Sequence, residues 1–510
     1  MTMAGEVLKE RLKLYLMWET ILSSGAFILF SILRIVPSSD YQYSYSSAAL
    51  AVLAFTEFLV SNLVFSSAIH AITSPQPVSA AAPSELILSL LRFVFFASPS
   101  KTGSTHAIRN RFVSTSLLLS FFVCVSISSA MSISSITTSG SLKVATRSFV
   151  TGAVYAFVYL YKQRWILSFP VIQRPLFFSF KLGISPAISK SFKLANAAYF
   201  LSLLVTLNQR GKSSLVMFRD EIIQYVGTFI VFLCWEMIRH LYQILHTKRM
   251  TFSPSKGTFT ESNPSEQLLA ALEDNPPGSL VQCLAYLDLC MVCENNVHTS
   301  RRSAFFEETA ETYKRVVSAC LKPLEQFISN VIESFPEKGL HLPTQMLSPS
   351  DPIVFSNASV FNNFQQCAWG ARAAASLTAR SHKEDRYGVA QLSSSNALVI
   401  STLISALLAV EGVMGKKTTA RPKNNSVGFS LMKTNVGKPR SGVILGKAYT
   451  MADVLRSSVY CIVSSFYDEM VACSKSGNLE KDWVVSLKVQ FGSKEIVLQK
   501  LRLFIDCKAN

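Results

Sequence analysis

Charge is scarce in this chain. Asp, Glu, Lys and Arg make up 16% of its 510 residues, against 35 Phe, and its mean hydropathy of +0.31 is too apolar for an ordinary soluble protein. The short motifs of common chemistries are missing as well. There is no phosphate-binding P-loop, no G-x-G-x-x-G, no H-E-x-x-H and no G-x-S-x-G, so nucleotide, dinucleotide, zinc-peptidase and serine-hydrolase readings have no motif to rest on. The string His382-Lys383-Glu384-Asp385-Arg386 suits a solvated helix end better than a site, because acid–base work needs groups converging in a cleft. No catalytic, cofactor-binding or metal-ligating residue is expected, and no small-molecule substrate.

Ten cysteines are dispersed along the chain. Cys290 and Cys293 form a C-x-x-C, but no second pair or His cluster stands at zinc spacing. They lie in an apolar helical run, which favours buried free thiols, and reduced thiols suit a cytosolic or nuclear face. Acids are outnumbered, 32 against 49 Lys and Arg, for a net charge of +17. The excess calls for an anionic neighbour, and in a membrane chain the flanking Lys and Arg account for much of it. Membrane lipid is therefore the expected partner, and direct nucleic-acid binding the lesser reading.

The apolar residues concentrate before residue 246. The run Ile222 to Leu245 has no formal charge as far as Trp235, then meets Glu236, Arg239 and His240, with Lys248 and Arg249 beyond. A bilayer core of about 30 Å needs roughly 20 helical residues, and long basic side chains complete a short span. Five runs precede it, giving spans at approximately 14–33, 48–69, 112–136, 147–161, 192–207 and 222–245. Leu86 to Ala97 and Trp165 to Phe180 are too short or too broken to cross, and suit the membrane interface.

Three polar residues inside these runs stand out. Glu19 lies about a turn inside the first span, within reach of headgroups or of Arg11 and Tyr15. Glu57 and Asn62 sit near the middle of the second, and an intramembrane carboxylate is a candidate for an ion or proton pathway. With no charged partner at matching depth, a structural polar contact is the favoured reading for both.

Six spans divide the loops into two sets. The N-terminal tail, 73–111 and 162–191 carry three, four and five Lys/Arg; 37–47, 137–148 and 208–221 carry none, two and three. The excess places both termini in the cytosol.

After Lys248 the texture changes. A Ser/Thr/Pro/Gly stretch marks a linker at 246–264, and helical patterns follow over Ser265–Glu273, Ser279–Glu294, Ala304–Ser334, Val360–Ala379, Val389–Gly412, Met451–Ser474 and Lys494–Ile505. Val399 to Val410 is assigned to a soluble core rather than to a seventh span. Gly415 to Lys447 holds eight Lys/Arg and no acid, which reads as a mobile basic segment, solvated or against anionic lipid. The expected architecture is all-α: a transmembrane domain at 1–245, the linker, a helical soluble domain at 265–414, the basic segment 415–447 and a C-terminal helical part at 448–510. Asn357 and Asn424 begin N-x-S acceptor patterns, and a cytosolic face leaves both unmodified.

Local residues then carry a resemblance. Leu284-Ala285-Tyr286-Leu287-Asp288-Leu289, Ser300-Arg301-Arg302, Phe305-Phe306 and the helix with Thr312 to Leu324 resemble the segment after the last span of the integral-membrane nucleoporins of the nuclear-division-cycle class, in their plant form. The likeness covers the whole chain in architecture and about a tenth of it in motifs; Gly339–Asn357 and 415–447 match nothing in it. It implies a non-enzymatic scaffold of the pore membrane that anchors soluble nucleoporins, namely the linker nucleoporin with an RRM-like fold and the aladin-type WD-repeat nucleoporin. It also implies support of pore assembly, with Leu284, Asp288, Arg301, Arg302 and Phe305 as structural or interaction residues. Two other readings remain open: a general endoplasmic-reticulum or nuclear-envelope scaffold, and a multi-span transporter using Glu57.

Overall fold

The computed structural model describes residues 3–35, 45–76, 104–137, 142–170, 173–206, 214–252, 265–334, 361–419, 439–487 and 489–509. Helix is the only extended regular structure among them, with one isolated parallel bridge between Ser74 and Ile166. The chain divides into two compact units, Met1–Lys248 and Arg249–Asn510.

The first unit contains α1 (Met3–Ile35), α2 (Tyr45–Ile72), α3 (Ser104–Thr137), α4 (Leu142–Tyr161), α5 (Leu176–Thr206) and α6 (Ser214–Thr247). Within α1, α2, α3 and α6, the stretches Gly5–Ile32, Ala49–Ile72, Val113–Thr137 and Glu221–Thr247 are long and apolar enough to cross a membrane. The helices matching the expected spans 147–161 and 192–207 are not in that set. Lys143 and Arg147 dilute α4, and Lys181, Lys190 and Lys193 dilute α5.

Contacts within this unit show which helix ends meet. Arg11 reaches the His246 carbonyl at 3.3 Å, His70 meets the Tyr242 hydroxyl at 3.0 Å, and Gln173 donates to the Thr247 carbonyl at 3.4 Å. At the opposite end, Arg147 bonds Ser202 at 3.1 Å and grips Glu221 with two contacts of 2.6 Å. The start of α1, the ends of α2 and α6 and the α4–α5 connection therefore gather at one end.

Two expectations are corrected here. The fifth apolar run belongs to a helix that begins at Leu176 and runs through Pro186, so 176–191 is not loop. Trp165, Leu167 and Phe169 are buried instead of dipping outward, because Leu167 N–H bonds the Ser74 carbonyl at 3.0 Å and Ser74 N–H bonds the Trp165 carbonyl at 3.2 Å. Among the described aromatic residues of that stretch, Phe177 and Phe178 face outward.

The second unit contains α7 (Glu266–Glu273), α8 (Leu280–Glu294), a 3-10 turn at Asn296–His298, α9 (Thr299–Ser303), α10 (Glu311–Ser334), α11 (Phe364–Glu384), α12 (Val389–Leu392), α13 (Ser395–Thr419), α14 (Pro439–Ser465), α15 (Tyr467–Lys475), α16 (Leu479–Trp483) and α17 (Lys494–Ala509). Pro276, Pro277 and Gly278, the last at φ 79°, turn the chain into α8, where Ser279 caps by accepting the Gln282 N–H at 3.2 Å. Residues 304–310, expected as helix, are turns, with Ala310 at φ 61°. The helix expected from Met451 begins at Pro439 and breaks at Phe466.

By length and composition alone α13 also qualifies as a membrane span over Ser395–Met414, yet 72% of it is buried, against 22% of Gly5–Ile32. Its Ser401 and Ser405 hydroxyls accept the N–H groups of Val485 and Phe491 at 3.0 and 2.7 Å. Like α8, it packs in the core of this unit. The basic segment is corrected too: α13 continues to Thr419 and α14 starts at Pro439, so both ends of 415–447 are helical. Leu86–Ala97, Gly339–Asn357, Asn424 and residues 420–438 lie outside the described residues.

Candidate functional site

The residues singled out after α6 converge on α8. Asp288 is fully buried and receives five polar contacts. Arg249 reaches Oδ1 at 3.0 and 3.3 Å, Arg301 reaches Oδ2 at 2.8 Å and Oδ1 at 3.4 Å, and the Phe252 backbone N–H donates to Oδ2 at 3.0 Å. Arg301 also bonds the Phe252 carbonyl at 3.0 Å, and Arg249 meets His298 Nε2 at 3.0 Å. A carboxylate in a core costs several kcal/mol unless charge and hydrogen bonds compensate it; here two guanidiniums and an amide do so. The result is a latch that holds residues 249–252 against α8. The first residues of the expected linker at 246–264 are therefore not linker: 246 and 247 finish α6, and Arg249 to Phe252 belong to the second unit.

Arg302 turns the other way. It is 1% exposed, holds Glu384 bidentately at 2.6 and 2.7 Å, and donates to the carbonyls of Val292, Cys293 and Asn295 at 3.0–3.4 Å. A cation over the last carbonyls of α8 satisfies acceptors that the helix leaves open and complements its dipole. Glu384 thus serves the end of α8 rather than standing solvated in the charged string. Leu284 and Phe305 are buried in the same core.

The cysteines follow the packing. Cys283, Cys290, Cys293, Cys320 and Cys367 are buried. Burial pushes the Cys290 thiol up to about 12, with the Glu294 carboxylate adding to the shift, and burial raises Cys293 well above the usual thiol range. Both stay protonated at neutral pH, and a thiol lacks the nucleophilicity of a thiolate. No group of three or more His, Cys, Asp or Glu positioned for a metal occurs among the described residues.

In the first unit, Glu57 is half-buried and accepts a long hydrogen bond from Ser134 at 3.4 Å. Asn62 is buried; its Oδ1 accepts the Trp235 indole N–H at 2.9 Å, and that indole stacks on Phe65 at 4.3 Å. Both tie helices together. Glu19 is fully buried inside the unit, where Ser23 donates to it at 3.1 Å, rather than reaching toward headgroups.

Sequence reasoning missed a second charge cluster. Glu236, 1% exposed, accepts from Arg164, from Tyr155 at 3.2 Å and from Arg239 at 3.4 Å. Its only signal in sequence was a carboxylate closing the apolar run of α6. Of the named residues, Asp288, Arg301, Arg302, Glu57 and Asn62 thus make polar contacts within their own unit, and Leu284 and Phe305 pack in its core. Compared with protein-family models and with curated protein sequences, the chain matches none.

Proposed function

We propose that this chain is a membrane-anchored, non-enzymatic scaffold, with the pore membrane of the nuclear envelope as its place of work. One observation carries the scaffold reading. Met1–Lys248 turns many aliphatic and aromatic side chains outward while Glu19, Arg147 and Glu236 lie buried within it, whereas Arg249–Asn510 is a helical unit in which the buried Asp288 and Arg302 are engaged in packing. The first unit crosses the membrane as a six-helix bundle with both termini on the cytosolic, pore-facing side; the second presents the surface for soluble partners. The pore assignment rests on the resemblance over Leu284–Phe306. It makes the partners other nucleoporins, the linker nucleoporin with an RRM-like fold and the aladin-type WD-repeat protein, and makes the role support of pore assembly and of nucleocytoplasmic transport.

Imaging a fluorescently tagged full-length chain tests this. A punctate nuclear rim is expected. A reticular network would move the protein to a general endoplasmic-reticulum scaffold. Ion current through purified protein in liposomes, abolished by Glu57→Gln, would replace the scaffold with a transporter.

A further inference from the structure

Around Glu236 the charges do not balance. Arg164 and Arg239 both face this single carboxylate. Lys190, exposed on α5, lies within electrostatic reach of Glu236, Arg164, Arg239 and Lys162. No hydrogen bond or ion pair engages Lys190 or Lys162 among the described residues. Two arginines therefore face one acid, with Lys190 in electrostatic reach of all three and Lys162 in reach of Lys190, and within a membrane span an uncompensated charge is expensive.

Two donors in the same region also lack acceptors. Arg239 Nε and the indole Nε1 of Trp165, which is 5% exposed and directly follows Arg164, are buried with no hydrogen-bond partner. Both unmet needs are of one kind: negative charge and acceptor oxygens. The place is equally specific. Arg164 sits in the turn that closes α4, beside outward-facing Phe157 and Tyr161, the aromatic pattern of a membrane–water interface.

The geometry points to a binding site for the headgroup phosphate of an anionic phospholipid, formed by Lys162, Arg164, Trp165, Lys190 and Arg239 around Glu236. The arginines, held by Glu236, form its fixed wall, and guanidinium forks suit phosphate oxygens. The two exposed lysines add charge at its outer side. This site rests on the membrane reading above and adds a ligand class to it.

The test uses full-length protein reconstituted in nanodiscs of phosphatidylcholine alone or with one-fifth phosphatidylserine, followed by native mass spectrometry of retained lipid. Retention of phosphatidylserine over phosphatidylcholine is expected. Lys162→Ala/Lys190→Ala should lower that preference by about tenfold or more, since each lysine near a charged membrane surface is worth about fivefold. Lys181→Ala/Lys193→Ala, which removes two charges from α5 outside the cluster, should leave it unchanged. Equal loss in both pairs would reduce the site to general surface charge and overturn it. Displacement of the lipid by millimolar inorganic phosphate would show a free-anion site instead. Alkaline carbonate extraction separates the two levels: protein released from membranes overturns the membrane reading and this site together, whereas retained protein with no lipid preference overturns the site alone.

Discussion

On the outside of Met1–Lys248 stand Ile32, Leu53, Phe157 and Phe200, while Glu19, Arg147 and Glu236 lie within it. In Arg249–Asn510, Leu284, Leu403 and Leu407 fill the interior around buried Asp288 and Arg302, and Arg315 and Arg372 meet Glu266, Glu273 and Glu294 at the surface. Both units are helical, so the contrast lies in the side chains each leaves on its surface, and the proposed membrane setting of the first unit gives it a physical cause. Where lipid replaces water there is no hydrophobic drive between helices, and close packing plus polar contacts select the partners. In water, burial of the apolar face supplies the drive and surface ion pairs add little.

The largest effect to seek is a difference in kind. Residues 249–510, expressed alone, should remain soluble without detergent, and residues 1–248 should not. Recovery of 249–510 only in detergent, assayed by ultracentrifugation, would erase the contrast and make α13 a membrane span.

Next comes the cost of breaking a buried charge in each setting. Asp288→Ala strands two guanidiniums and should destabilise the second unit by about 3–5 kcal/mol, read from its urea midpoint. Glu57→Gln keeps hydrogen-bonding capacity at a half-buried site, so thermal stability in detergent should change by no more than about 0.5 kcal/mol. Comparable losses would mean that Glu57 carries more than a contact to Ser134.

Close approach offers a finer comparison. A methyl on Gly152 would lie 2.5 Å from Ser129 Cβ and 2.9 Å from the backbone of α3, and one on Gly370 would lie 2.5 Å from the Cys320 carbonyl oxygen. Overpacking against backbone costs about 1–3 kcal/mol. Gly152→Ala and Gly370→Ala should each lower the melting temperature of their own unit and leave the other unchanged; a shift of both together would show that the units unfold as one.

The smallest effect is a pH slope. Burial, and then the Arg249 and Arg301 guanidiniums, hold His298 below its ordinary value. The unfolded chain therefore takes up a proton first, so the stability from neutral His298 is present above about pH 6.5 and is lost as pH falls through the lower folded-state value. The urea midpoint of 249–510 should decline below about pH 6.5, and less steeply in His298→Gln. An identical slope in the variant would remove His298 from the latch.

What could be read from sequence divides along local and distant causes. The run at 222–245 announces α6 because hydropathy is a property of neighbouring residues, and Ser279 announces the start of α8 because a cap is local. An acid in the otherwise apolar run of α8 needs a cation, and the sequence offers Arg301 or Arg302 nearby; Arg301 takes that place, while Arg302 goes to Glu384. Arg249 was not legible as a partner, since it stands 39 positions away and reads equally well as a basic flank of the last span. The inward turn of Trp165 and Phe169 depends on backbone pairing with Ser74, which no pattern within 165–180 encodes. The same holds for Arg164 and Glu236, separated by 72 positions. Helix continuing past Gly415 was hidden by composition: Lys416 and Lys417 suggest an open segment, but lysine is a good helix former.

The latch on α8 has a mechanical side. The chain leaves α6 at Thr247, and by Arg249 it is already bonded to Asp288. A pull on the end of α6 thus reaches the second unit through Arg249 and Phe252, crosses to α8 through one carboxylate, and spreads to α9 through Arg301. Tension applied there meets several hydrogen bonds on one carboxylate. For the anchoring role proposed above, that short route makes Asp288 the bolt through which the load would pass.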